Sequence, residues 1–286
     1  MPTKSTSLTK NMLMRKISIE KICSTIDELC YSANYCLPPD VISMFNRLLR
    51  IEKNRKNKNL ISVLLENSKI AEKNEIPLCQ DTGIPMVFVD VGTNVRIGNS
   101  YSSLTGIITD AVKKSYKKNY FRNSVINDPL LREKVCDTVP TVYYDFVKGD
   151  KLKISILIRG AGCENMTTLK MFSPGAGFNE ITKYIIDTVN EKIMFACPPA
   201  AIGIGIGGDA TKAVFLSKKA FLKKFNEINY PEKIYNSLRK NVIAELNKEH
   251  IKVLDVFIEH QPCHIASLPV AISLQCNSFR RWSKIL

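Results

Sequence analysis

Apolar residues recur at three- and four-residue spacing near the start of the chain: Ile19, Ile22, Ile26 and Leu29, then Val41, Met44 and Leu48. That period belongs to helices with one buried face, and the pair Pro38 and Pro39 divides two of them. Past residue 77 the texture changes. Residues 85–91 (PMVFVDV) make a short β-branched and aromatic run of the kind a sheet buries, and 151–158, 201–206, 253–258 and 269–274 repeat it. Helical periodicity fills 102–120, 179–193 and 231–250 between them.

Strands separated by helices predict a mixed α/β (α+β) chain. A helical part (17–76) precedes an α/β part (77–286) of one domain, and residues 1–16 are expected to form a flexible extension. No internal repeat or low-complexity linker interrupts the pattern. The run at 269–274 is expected to be the last strand.

Composition narrows the class. At 286 residues and 45% hydrophobic content the chain can bury a sizeable core. Its longest apolar runs reach about ten residues, short of the roughly 20 that span a bilayer. A formal net charge of +14 raises the question of nucleic acid, because clustered Lys and Arg neutralise phosphates. Here the lysines are spread over the chain, and the densest run, 53–58, reads as a solvated helix face. The charge suits attraction of a small dicarboxylate or an acidic partner better.

Nine cysteines are an odd number, and the basic first 18 residues lack an apolar signal segment. Disulfide scaffolding is not expected; a reducing compartment, the cytoplasm, is. Residues 1–16 are acid-free and rich in Ser, Thr and Lys, as organelle transit peptides are, but lack an Arg-rich amphipathic pattern.

Three cysteines share a distinctive setting. Cys79 lies in PLCQDTG, Cys197 in ACPPA ahead of GIGIGG, and Cys276 in LQCNS at a strand end. Each stands at a junction between regular elements, where a ligand is presented without disturbing a ladder. Their wide separation excludes a compact CxxC knuckle, and read alone they are equally small buried hydrophobes.

Taken together, PLCQDTG, RGAGCENMT, ACPPAAIGIGIGGDATKA and HIASLPVAISLQCNSFRR resemble, in order, the α subunit of two-subunit class I fumarases and tartrate dehydratases, over nearly the whole chain. The resemblance implies the Fe-S hydro-lyase α-type catalytic fold and a 4Fe-4S cluster on Cys79, Cys197 and Cys276. Thiolates suit such clusters, and three ligands for four irons leave one iron open as a Lewis acid. It further implies that Gln80 and Asp81 reach the substrate, with Asp81 a partner in proton transfer. Arg122 matches an arginine that clamps a carboxylate, a task its planar fork suits. Gly162 matches a backbone contact in a glycine-rich turn, and His264 a histidine of the substrate pocket. A separate β subunit, in an α2β2 assembly, is implied to complete the site. Without the resemblance Arg122 is a surface charge, Asp81 a turn former and His264 a loop residue.

One position departs from the pattern: Cys163 stands where the family more commonly has serine. A conservative small replacement is expected, since a fourth ligand would close the open iron. Gly203, Gly205 and Gly208 spell GxGxxG after an apolar strand, yet the residues that follow are lysine-rich and hold no second strand, as a dinucleotide site requires. Close backbone packing explains these glycines as well. A non-enzymatic metal-binding or basic nucleic-acid-binding protein is the alternative of a different class.

Overall fold

The computed structural model describes residues 14–98 and 103–286. The chain order is β1 (Arg15–Ile17), α1 (Ile19–Tyr35), α2 (Pro39–Ile51), α3 (Arg55–Asn74), β2 (Ile84–Gly92), β3 (Val95–Ile97), α4 (Leu104–Lys118), β4 (Val125–Ile126), β5 (Val135–Cys136) and β6 (Thr141–Val147). It continues with β7 (Leu152–Arg159), α5 (Ala161–Glu164), β8 (Thr168–Phe172), α6 (Phe178–Lys192), β9 (Ala200–Gly207), α7 (Ala210–Lys219), α8 (Lys233–Leu246), β10 (Val253–Gln261), β11 (Leu268–Gln275) and β12 (Arg281–Ile285). The helices expected before residue 77 and the strands expected after it are present.

Two four-stranded sheets carry the fold, one in the order β12-β7-β2-β6, the other β10-β9-β11-β8. Alternation along β2 explains how the first is buried on both faces. Val87 and Val89 point with Ile154, Ile156 and Ile158 of β7 into a core against α1 and α4. Met86, Phe88 and Leu157 point the other way, into a core shared with Val41 and Phe45 of α2 and with Ala201, Leu254 and Phe257 of the second sheet. The far face of that sheet packs Ile202, Ile204 and Ile272 on α6 and α8. Each fully buried side chain of this size contributes roughly 1.5–3 kcal/mol.

Local signals set the helix ends. Ser18 caps α1 by accepting from the Lys21 amide at 3.2 Å, and Ser103 caps α4 from Gly106 at 3.1 Å, each satisfying an otherwise orphaned donor.

The glycines of β9 have a packing role. A Cβ on Gly203 would stand 2.0 Å from the Ser217 carbonyl oxygen, and one on Gly205 2.0 Å from that of Ala213. Helix α7 lies directly on the strand backbone, the arrangement expected for GIGIGG without a dinucleotide.

Three expectations change. β12 follows β11, so 269–274 is not the last strand. Residues 15 and 16, expected in a flexible extension, pair with Val95 and Arg96 in a parallel ladder; the rest of the extension and of the transit-peptide reading, residues 1–13, lies outside the described residues. The helix expected from 102 begins at Leu104, and Ser102 is likewise outside them. None of the helices is long and apolar enough to cross a membrane among the described residues.

Candidate active site

Strand polarity brings the three motif cysteines to one edge. β9 and β11 run antiparallel with Ala201 opposite Gln275, so Cys197, just before β9, meets Cys276, just after β11. β2 and β7 are also antiparallel, with Ile84 opposite Arg159, which sets the Cys79 turn beside the glycine-rich turn at 160–165. The connection from Cys276 to β12 crosses from one sheet to the other at this edge.

The convergence shows in the electrostatics. Partial burial, then the neighbouring sulfurs of Cys276 and Cys79, push the Cys197 thiol up. Cys197 is exposed, Cys79 half-buried and Cys276 buried. Cys197 sits at φ 51°, ψ 74°, a left-handed conformation rare outside glycine. Asn277 holds it there: its side-chain amide donates to the Cys197 carbonyl at 2.9 Å and its backbone amide to the same oxygen at 3.3 Å. Cys276 is pinned from the other side, its backbone amide donating to the Cys163 sulfur at 3.2 Å. The Cys163 sulfur, with burial, pushes the Cys276 thiol up, while the Arg280 guanidinium pulls it down.

The Cys79 turn is anchored throughout. Asp81 accepts from the Gly83 amide at 2.9 Å, closing an Asx turn, and from the Ala161 amide at 2.8 Å, joining two motifs. Tyr116 donates its hydroxyl to the Thr82 carbonyl at 2.9 Å. A Cβ on Gly160 would stand 2.7 Å from Asp81 Oδ2, so only glycine admits that carboxylate. Arg280 donates to the Asp81 carbonyl at 2.7 Å.

Of the other expected residues, Gln80 is exposed beside Cys79. Arg122 is brought close by its backbone: its carbonyl accepts from the Thr82 hydroxyl at 2.7 Å, and its side chain is exposed. Gly162 packs its α-carbon toward the carbonyl of Phe195, two residues before Cys197; a Cβ there would lie 3.1 Å away.

His264 is placed elsewhere. It lies in the turn that leads into β11, whereas Cys276 follows that strand's last residue. Eight residues at about 3.3 Å each put the two ends roughly 26 Å apart. His264 is exposed, and its Nδ1 accepts from the Ala266 amide at 3.1 Å. Within one chain it lies a strand's length from the cysteines, since an antiparallel connection separates residues close in sequence.

Next to Asp81 lies a cavity of about 290 Å³ lined by Tyr143, Gly160, Ala161, Asn165 and Lys218, among others. Arg159, 2% exposed, braces its floor: it donates to Glu164 at 2.7 Å, to the Cys163 carbonyl at 2.8 Å and to Gln275 Oε1 at 3.3 Å. Lys218 bonds the second oxygen of Glu164. Burial works to raise the Glu164 carboxyl, and the two cations overcome it, leaving it below the usual range. Arg159, Asn277 and Arg280 escaped the sequence reading, although all three lie inside the quoted motifs; a charge ending an apolar run, as Arg159 does, is the signal that could have found it.

Two sheets meeting at a thiol-lined edge beside a cavity bordered by Asp81, Arg159, Glu164 and Lys218 define an α/β enzyme domain. The profile of the Fumarate hydratase (Fumerase) family matches residues 23–284, and the chain belongs to that family, hence to the hydro-lyases. It is 36% identical over 276 residues to a Methanocaldococcus jannaschii protein named "Putative L(+)-tartrate dehydratase subunit alpha", covering 91% of this chain and 96% of that one. Proteins named L(+)-tartrate dehydratase subunit alpha from Escherichia coli and Shigella sonnei are 25% and 24% identical over 277 residues, covering 92% of this chain and 90% of theirs.

Proposed function

We propose that residues 17–286 work as one domain, the α subunit of an iron-sulfur hydro-lyase that hydrates fumarate reversibly to malate. The observation that carries this is the convergence of Cys79, Cys197 and Cys276, on three separate loops, at the edge where the two sheets meet. Among the described residues no three His, Cys, Asp or Glu side chains close around a single ion. A four-iron cluster asks for a different donor set, soft thiolates held apart by its own width, and three thiols on rigid turns fit it. When bound, such a cluster supplies a Lewis-acidic iron for the departing hydroxide.

The remaining roles fall to the chain. Gln80, Arg122 and the Gly162 turn bind and orient the dicarboxylate. Asp81, fixed by two backbone amides, holds or moves a proton beside it.

A β subunit is proposed to cover the site, in an α2β2 assembly. Large apolar side chains stand exposed around it: Phe195 at 68% just before Cys197, and Tyr120 at 95% just before Arg122. Exposed apolar groups grouped about a functional edge mark a contact surface. His264 joins a site only across such an assembly, from the second α chain. L(+)-tartrate is the second reading for the substrate, favoured by the names of the relatives above.

Anaerobic purification with the β chain, followed by iron and sulfide analysis and assays on fumarate and L(+)-tartrate, tests the proposal. About four irons per α chain and turnover of one substrate are expected. Bound zinc, or no metal, would overturn the cluster.

A further inference from the structure

Arg280 is the least exposed charged side chain among the described residues, at 1%. Other buried arginines have an acid: Arg159 has Glu164, Arg281 has Asp40. Arg280 has neutral acceptors only. Its Nη1 donates to the Asp81 carbonyl at 2.7 Å and toward Asn34 Oδ1 at 3.4 Å, and its Nε has no partner. The carboxylate of Asp81 also lies against Gly160 but makes no ion pair with Arg280, bonding the amides of Gly83 and Ala161 instead. A buried cation without an ion-pair partner is costly, and further negative charge at this edge would offset it.

Two polar groups beside the adjoining turns are already engaged. Tyr116 spends its proton on the Thr82 carbonyl and stays neutral. Cys163 offers its sulfur to the Cys276 amide. The guanidinium also lies against the glycine-rich turn, its Nη2 being 3.5 Å from where a Cβ of Gly160 would be. It thus stands between the Cys79 turn and the Cys276 turn, four residues after one ligand and bonded two residues after another.

We propose that Arg280 is the buried counter-charge of the iron-sulfur centre, offsetting the negative charge that three cysteine thiolates bring to this edge. It is a positioning and tuning residue, touching neither substrate nor iron. The inference rests on the cluster reading above. A fixed cation in a poorly polarisable interior favours the more negative, reduced state of a neighbouring centre. Arg280 therefore raises the reduction potential of the cluster and slows its loss.

The test uses the anaerobically loaded αβ complex, with iron retention in chelator and the cluster's reduction potential as readouts. Arg280→Gln keeps donors for the Asp81 carbonyl but removes the charge; a negative shift in potential and several-fold faster iron loss are expected. Arg280→Lys keeps the charge and should stay near wild type. Asn34→Asp leaves Arg280 in place and supplies a carboxylate against Nη1, so it too should shift the potential negative, which covers the case of a poorly folding Arg280→Gln. An unchanged potential in Asn34→Asp, or equal iron loss in the Lys and Gln variants, would overturn the proposal. A wild-type complex without iron would instead overturn the cluster reading beneath it.

Discussion

Asn277 fills both lone pairs of the Cys197 carbonyl, with its side-chain amide at 2.9 Å and its backbone amide at 3.3 Å. The residue after one candidate ligand therefore fixes the backbone of another, at a left-handed φ of 51° that non-glycine residues uncommonly adopt. Asn277→Ala removes one of the two bonds. A typical loss of about 1 kcal/mol in stability is expected, small beside the effect on the site: iron per chain after gel filtration should fall clearly. Full iron retention would show that the clamp serves folding alone.

Four thiols approach this edge, and the structure separates their roles. Cys163 is engaged as an acceptor from the Cys276 amide, a bond that a serine hydroxyl makes equally well. Cys163→Ser is expected to load iron fully and keep activity. Cys276→Ser should lose both. The reverse result would exchange their assignments.

The sequence was most legible where elements are buried on both faces. β2, β7, β9, β10 and β11 announce themselves as apolar runs because both sides meet a core. β6, β8 and β12 did not: they are edge strands whose side chains are largely exposed or half-buried, unlike the buried edge strand β10, and sequences such as TLKMF and RWSKI carry little pattern. Helix α7 was obscured for a different reason. It packs on bare strand backbone, so its buried face is Ala213, Leu216 and Ser217, too small and polar to mark a period. In the site, the cysteines were readable through their motifs. The braces were not: a buried Arg280 looks in sequence like half of a surface RR pair. His264 shows the opposite hazard, since a motif is continuous in sequence while its two ends are a strand apart.

Arg122 has an exposed side chain, and its backbone carbonyl carries its only hydrogen bond among the described residues. Truncating it costs the fold little, within about 0.5 kcal/mol as for other surface changes. Arg122→Ala is expected to raise KM for the dicarboxylate while iron content and melting temperature stay at wild-type values. Unchanged kinetics would remove it from the site.

Glu164 makes stability depend on pH. Its carboxyl is held below the usual range by Arg159 and Lys218 against its own burial, so its contribution is complete above its unfolded-state value and fades as pH falls through the folded one. The group is 48% exposed, and solvent screening keeps the contribution modest. Glu164→Gln is expected to unfold at lower urea than wild type near neutral pH, with the gap closing as pH falls through and below the usual glutamate value of about 4.3. A gap that stays constant would mean that ionisation of Glu164 does not matter.

Gly203 decides between packing and nucleotide binding for the GIGIGG run. A Cβ there meets the Ser217 carbonyl oxygen at 2.0 Å and the Phe221 ring at 2.8 Å, neither of them a flexible side-chain end. Helix α7 would have to lift off β9, and the edge that presents Cys197 starts on that strand. Gly203→Ala should cost about 3 kcal/mol or more, the upper range for overfilling a packed core. Gly175→Ala, whose Cβ would find only Ser173 Oγ at 3.9 Å, serves as the near-neutral control. Urea midpoints of the two variants, together with the absence of fluorescence transfer to NADH in wild type, check the point. Equal midpoints would leave the glycines without a packing role, and NADH binding would restore the dinucleotide reading.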